Sequence, residues 1–204
     1  MINSKRLGKF WLIPLSVLLF SFAGCATQGR ISQRYTVGYK TYTAYTRESK
    51  YPATVFVEKF KDEIEFKTKF CSREFLGKLF VDDLEEGITN AIKKDLASSN
   101  LFRGVYDVES GTTYILRGIV RKYGQGEPGF ARVRFDALVE IDCELVENKA
   151  NRRIWAGKVK GSRILDGKTI LHADMARALN EALEDAGGKL KEQIDFTLSK
   201  IYKI

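Results

Sequence analysis

The sequence predicts an α+β domain: an antiparallel sheet of about four to five strands with two helices packed on one face. Residues 131–145 alternate, with apolar side chains at every odd position and charged ones at every even position except Leu138. Such alternation is typical of a long antiparallel strand with one buried face. Two further segments, 81–96 and 176–201, repeat apolar residues at spacings of three and four, which predicts amphipathic helices.

The first half of the domain, which we expect to begin near Pro52, is predicted to hold one strand and one helix. Residues 53–60 are β-branched and aromatic, which favours a first strand. Residues 61–77 mix charged and apolar side chains, which is consistent with a short edge strand followed by a loop. The helix at 81–96 begins among four acidic residues and ends near two lysines, an order that complements the helix dipole.

The second half is predicted to be a strand meander closed by a helix. Turn segments rich in Gly, Pro or Asn separate the strands, which we expect at 105–108, 112–123, 131–145 and 152–164. The closing helix contains Gly187-Gly188, and each Gly in a helix interior costs about 1 kcal/mol relative to Ala. We expect a kink or a close packing contact at that pair.

Residues 1–24 form a predicted secretory signal. A basic start precedes a mostly apolar run at 10–22, which is too short to cross a bilayer core of roughly 30 Å. The ending Phe22-Ala23-Gly24-Cys25 resembles the lipobox of bacterial lipoproteins, with Phe22 in the position usually held by Leu. The resemblance implies cleavage before Cys25 and acylation of that cysteine, which holds a protein at a membrane when two or more chains are attached.

The residue after the cysteine indicates the membrane to which a lipoprotein is sorted. Ala26 stands there instead of Asp, which in enterobacterial lipoproteins implies sorting to the outer membrane. We therefore expect a lipid-anchored protein on the periplasmic face of the bacterial envelope, with the outer membrane as the expected membrane.

The predicted mature chain has a tether at 25–51 and a single domain at 52–204. Residues 34–46 are rich in Tyr and Thr, which favour extended backbone. Three interpretations of this stretch stay open: a strand that pairs along a sheet edge, an aromatic strip that contacts a partner or the membrane interface, and a linker that partly wraps the domain.

Two cysteines remain after Cys25. Cys71 precedes the first helix, and Cys143 lies on the apolar side of the long strand, which suits a buried free thiol. Because the envelope is an oxidising compartment, a Cys71–Cys143 disulfide is an alternative.

Motifs for catalysis, metal binding and nucleic-acid binding are scarce in the sequence. His172, the one histidine, lies near the start of the last helix, and no nucleophile elbow or phosphate-binding loop occurs. The net charge is +8, but the basic residues are interspersed with acidic ones, which argues against a nucleic-acid surface. We expect a protein that is not an enzyme and that has no cofactor, no metal site and no nucleic-acid partner.

Charged residues cover the exposed side of the predicted sheet. The acids of the long strand face basic residues such as Arg117 and Arg121, so we expect cross-strand charge pairs. A candidate contact for phosphate or carboxylate groups of a lipid or partner lies at one end of the hairpin, and it comprises Arg121, Lys122, Arg132 and Arg134. The alternation places Lys122 on the face opposite Arg121, which would reduce the cluster to three; a solvated hairpin end is the alternative.

The order of elements carries a family resemblance. The segments are TVFVEKF at 54–60, a helix followed by Leu-Phe, a long hairpin at 114–148, RRIWAGKV at 152–159 and a final helix at 173–194. With the lipobox, this order resembles the auxiliary lipoproteins of ABC-type lipid transport systems and related small periplasmic lipoproteins, over residues 52–201. It is also similar to the curli-secretion and penicillin-binding-protein-activator lipoproteins. The resemblance implies a non-enzymatic subunit that docks to an envelope complex.

Three functions follow from these expectations. The first is a membrane-anchored accessory or scaffold subunit of an envelope transport or assembly system. The second is a lipid- or glycan-binding module that uses the open face of the sheet and the Arg132 and Arg134 end. The third is an oligomeric secretion pore, which needs extra amphipathic strands that only residues 61–77 are free to supply.

Overall fold

The computed structural model describes residues 37–38, 48–64, 83–125, 133–167 and 172–203. Two helices and six strands lie within these ranges: β1 (Tyr51–Val57), β2 (Lys61–Asp62), α1 (Leu84–Ser98), β3 (Phe102–Tyr106), β4 (Tyr114–Gln125), β5 (Val133–Glu147), β6 (Arg152–Gly167) and α2 (His172–Tyr202). Within the described ranges, neither helix combines the length and the apolar content needed to span a bilayer.

The α+β fold class is confirmed. The strands form one sheet in the order β3-β1-β4-β5-β6, with β2 paired beside β4. Strands β4, β5 and β6 form the predicted antiparallel meander. The prediction of a wholly antiparallel sheet is wrong, because β1 pairs in parallel with both β3 and β4, and β2 with β4. Helix α1 connects β1–β2 to β3, and such a crossover returns the chain in the same direction.

A break in the first predicted strand separates β1 from β2. Phe60 turns into the core there and is fully buried. Its backbone N–H donates to Thr89 Oγ1 at 2.9 Å, and the N–H of Asp62 donates to Glu85 Oε1 at 3.0 Å. The first turns of α1 therefore hold both sides of the break, which we call the β1–β2 kink, and they supply partners for N–H groups that a continuous ladder would otherwise satisfy.

The N-terminus of α1 is capped by one of its acidic residues. Asp83 is the N-cap residue, and its carboxylate accepts the backbone N–H of Glu86 at 2.9 Å. This backbone hydrogen bond is the main cause of a lowered pKa at Asp83. The cap fixes the helix start beside the β1–β2 kink.

The core lies between one face of the sheet and the two helices. Leu116, Ile141 and Leu145 of the sheet are fully buried, as are Leu183 and Leu190 of α2. These residues and the buried Ile88 of α1 belong to one hydrophobic cluster, so the two helices lie on one face of the sheet as predicted. We call this the covered face and the opposite side of the sheet the open face.

A glycine of β6 sets how closely α2 approaches the sheet. A Cβ on Gly161 would lie 2.6 Å from the backbone nitrogen of Ala186, closer than real Cβ contacts allow. Helix α2 runs through Gly187-Gly188, and a Cβ on Gly188 would have nothing within 4 Å. The close packing contact between α2 and the sheet therefore lies at Gly161 of β6.

Candidate functional site: the open face of the sheet

The open face carries rows of oppositely charged side chains across β4, β5 and β6. Alternation along β5 sends Glu140, Asp142 and Glu144 to this side, while Ile141 and Leu145 enter the core. Residues directly opposite each other in neighbouring strands share a face. The predicted cross-strand pairing of charges is confirmed.

Two arginines of β4 each contact two carboxylates. Arg117 Nε lies 2.8 Å from Glu58 Oε2, and its Nη1 lies 3.5 Å from Glu144 Oε1. Hydrogen bonding to Glu58 is the largest cause of a raised pKa at Arg117. This arginine connects the end of β1 to β5 across β4.

The second arginine repeats the arrangement. Arg121 Nε lies 2.7 Å from Asp142 Oδ2, and its Nη1 lies 2.7 Å from Glu63 Oε2. Hydrogen bonding to Asp142 is the largest cause of a raised pKa at Arg121. Asp142 also faces Lys158 Nζ at 3.9 Å, so the row of charges continues onto β6.

A shallow cavity of about 480 Å³ lies among these pairs. Ile119 of β4 and Ala156 of β6 provide apolar side chains between the long charged ones, and Glu58 and Lys61 contribute from either side of the β1–β2 kink. Since Lys61 pairs with Ile119 in the parallel register, both side chains lie on the open face. The cavity is therefore a shallow depression with a small apolar floor and walls of ion-paired side chains.

Among the described residues, the structure separates Arg134 from the other two predicted cations, Arg121 and Lys122. Arg134 lies 2.7 Å from Asp136 and opposite Asp166 of β6. It lies eight positions along β5 from Asp142, the residue that Arg121 contacts, a separation of about 26 Å at 3.3 Å per residue. Arg132 lies outside the described residues.

Lys122 corrects the prediction from simple alternation. A register shift between Val120 and Lys122 places Lys122 opposite Glu140, on the same open face as Arg121. An extra residue in one strand lets two consecutive residues share a face, as in a β-bulge. Glu140 also lies 3.5 Å from Lys160, so Lys122 joins a row of charges that already contains an ion pair.

Of the three cysteines and the histidine, the structure describes Cys143 and His172. Cys143 has a free, buried thiol, and burial raises its pKa to about 12. The thiol is therefore protonated and unreactive at neutral pH. Cys25 and Cys71 lie outside the described residues, so the lipidation of Cys25 and the alternative disulfide stay predictions. His172 is the first residue of α2, as expected for the start of the last helix.

Metal-binding geometry is not found in the described part of the chain. Among those residues, no three His, Cys, Asp or Glu side chains group in a way that could hold a metal ion. The carboxylates of the open face are arranged as partners of arginine and lysine instead.

The charged rows of the open face were predicted from the sequence, but the cavity was not. The alternation along β4 and β5 contains the signal for the rows of charges, and these were predicted. The depression depends on the β1–β2 kink, which brings Glu58 and Lys61 beside Ile119. That kink depends on Thr89, 29 residues from Phe60 along the chain, and no local pattern reveals it.

Comparison with known proteins identifies the fold. No protein-family model and no curated protein matches the chain. Protein XCC0632 from Xanthomonas campestris, described under DUF330, is similar with a TM-score of 0.67 at 14% identity, covering 84% of this chain and 99% of that one. The hypothetical protein CT253 from Chlamydia trachomatis is similar with a TM-score of 0.52 at 10% identity, covering 71% and 96%. At these identities the likeness shows that the chain shares its α+β fold with these two bacterial proteins.

Proposed function

We propose that this protein is a membrane-anchored lipoprotein of the bacterial envelope that acts as a non-enzymatic accessory subunit and docks a partner protein on the open face of its sheet. More specifically, we propose that it is a subunit of an envelope transport or assembly system and acts as the auxiliary lipoproteins of ABC-type systems do. The outer membrane is the proposed site of anchoring.

One observation carries the docking role: the arginines that β4 presents on the open face are already paired with carboxylates around an apolar floor. Arg117 and Arg121 each contact two carboxylates, and their side chains are 39% and 36% exposed. A catalytic group needs an unmatched acid, base or nucleophile aimed at a substrate. A surface of fixed, half-exposed ion pairs instead offers a pattern of charge that selects a complementary partner.

The anchoring role is supported by the N-terminal sequence. A basic start, a short apolar run and small residues before Cys25 are the elements of a lipoprotein signal. Mass spectrometry of the full-length gene product purified from bacterial membranes tests this. We expect a polypeptide that begins at Cys25 and carries acyl chains, and a Cys25→Ala variant that is recovered without them. An unmodified Cys25, or an intact leader in the wild-type protein, would overturn the proposal.

The docking role is tested by filling the cavity. Ala156 is exposed on the open face, and an Ala156→Arg substitution places a long cation over the cavity floor. The matched control is Glu184→Arg at an exposed position of α2. Proteins that co-purify with the wild-type chain from detergent-solubilised membranes should be lost with Ala156→Arg and retained with Glu184→Arg. Equal recovery with both variants would contradict docking on the open face.

A second candidate function, binding of a lipid or glycan, is favoured by the cavity itself. Its volume suits a small molecule, and Lys61 places a cation at its rim. Native mass spectrometry of the purified protein distinguishes the two functions. A co-purified lipid or sugar that Ala156→Arg removes would favour the second function, whereas a bare protein would favour the first.

A further inference from the structure

A short part of the predicted tether lies against the helices. Val37 is only 8% exposed and belongs to the hydrophobic core cluster. The backbone N–H of Gly38 donates to the side-chain oxygen of Asn180 on α2 at 3.0 Å. We call residues 37–38 the strap. Of the three interpretations of the tether, wrapping of the domain describes these two residues.

The strap contacts α1 at a glycine. A Cβ on Gly87 would lie 2.7 Å from the Cβ of Val37, so any larger residue at 87 would push the strap away. Gly38 has a φ of +143°, and a Cβ placed on it would lie 3.9 Å from the Cβ of Ala91. Residues with side chains rarely adopt this backbone conformation. Close approach and backbone conformation thus both depend on glycine.

The same turn of α1 holds the rim of the cavity. Gly87 lies between Glu85, which accepts the N–H of Asp62, and Thr89, which accepts the N–H of Phe60. Glu85 also lies 3.3 Å from Lys59 Nζ. These contacts define the β1–β2 kink, whose flanking residues Glu58 and Lys61 line the cavity. Strap, helix turn, kink and cavity therefore form one continuous set of packed and hydrogen-bonded groups.

We propose that the strap couples the tether to the cavity: when residues 37–38 are docked, α1 holds the β1–β2 kink in place, and when they leave, the rim of the cavity loosens. The role of the cavity in docking rests on the proposed function, but the coupling itself does not. Tension on the tether of an anchored protein would then alter the docking surface through one helical turn.

Hydrogen exchange of single backbone amides tests the coupling on the mature chain, without any knowledge of the partner. Val37→Asp disrupts the buried contact of the strap with α1 but changes no residue of α1 or of the kink, and Asn180→Ala removes the hydrogen-bond acceptor of the strap. We expect the amides of Phe60 and Asp62 to exchange about tenfold faster in either variant, which corresponds to a loss of about 1.4 kcal/mol of local stability. The matched control is Val108→Asp, because Val108 is 66% exposed, and it should leave both amides unchanged.

Two readings in the same experiment keep the result unambiguous. The amide of Ile141, in the centre of β5, reports global opening and should not change in the variants. Faster exchange at Gly38 with unchanged exchange at Phe60 and Asp62 would show a strap that leaves without loosening the rim, and would overturn the proposal. A rise at Ile141 equal to the rise at Phe60 would also overturn it, because the effect would then be general unfolding. Neither result depends on whether Cys25 is acylated.

Discussion

The two faces of the sheet are built from the same strands but depend on opposite kinds of chemistry. On the covered face, Leu145 and Ile141 are fully buried beneath α2, and Gly161 allows the helix backbone to approach β6. On the open face, Asp142 alternates with those residues along β5, and both Asp142 and Arg117 of β4 stay more than a third exposed. Burial on one face therefore stabilises the fold, while the charged side chains of the other face stay accessible to solvent.

The largest expected difference between the faces comes from shortening an apolar side chain on each. Leu183→Ala on the covered face removes a fully buried side chain, and we expect it to lower the free energy of unfolding by about 2–5 kcal/mol. Ile119→Ala on the open face removes a side chain that is only half-buried, so we expect less than about 1.5 kcal/mol. Urea denaturation followed by circular dichroism measures both. Equal losses would mean that the open face contributes to the core.

The next prediction concerns two glycines of opposite role. Gly161→Ala places a methyl group against the backbone of α2 and should destabilise the protein by about 1–3 kcal/mol, the usual cost of overpacking. Gly188→Ala meets nothing within 4 Å and should stabilise it by up to about 1 kcal/mol, because Ala favours a helix interior. The same denaturation experiment gives both values. If the two variants shifted stability in the same direction, close approach at Gly161 would not control the packing of α2.

The same strands show which features of the fold can be predicted from the sequence. Strict alternation at 131–145 predicts β5 and its two faces, since a period of two is set by the strand backbone itself. The parallel pairing of β1 and the β1–β2 kink were not predictable locally, because they depend on Thr89 and on partners far along the chain. Lys122 was assigned to the wrong face for a related reason: alternation assumes a regular ladder, and the register shifts beside it.

A smaller effect is expected from breaking an ion pair on the open face. Asp142→Asn weakens contacts to Arg121 and Lys158, and we expect a loss of about 0.2–1 kcal/mol because the pair is partly exposed to water. The difference between wild type and variant should shrink in high salt, which screens exposed charges. Denaturation at low and high ionic strength checks this. A large loss that salt does not alter would indicate that these charges support the fold.

The smallest expected effect is a pH dependence at the end of the covered face. Burial raises the pKa of Asp195, but the hydrogen bonds from Lys50 and Tyr51 outweigh it, and the net pKa lies below the ordinary 3.8. A carboxylate with a lowered folded-state pKa contributes stability above its unfolded pKa and loses it as the pH falls through the folded value. Wild type should therefore lose slightly more stability than Asp195→Asn between neutral pH and a pH of about 2.5. Parallel pH titrations of unfolding, with identical curves as the contrary result, decide this.

Photo-crosslinking in intact bacteria tests most directly whether recognition belongs to the open face. A photoreactive amino acid at Ala156 reports on the cavity floor, and the same group at Glu184 reports on an exposed position of α2. We expect a discrete crosslinked partner from position 156 that is absent from position 184 and lost when Cys25 is replaced by alanine. A partner captured from position 184 and not from position 156 would contradict docking on the open face.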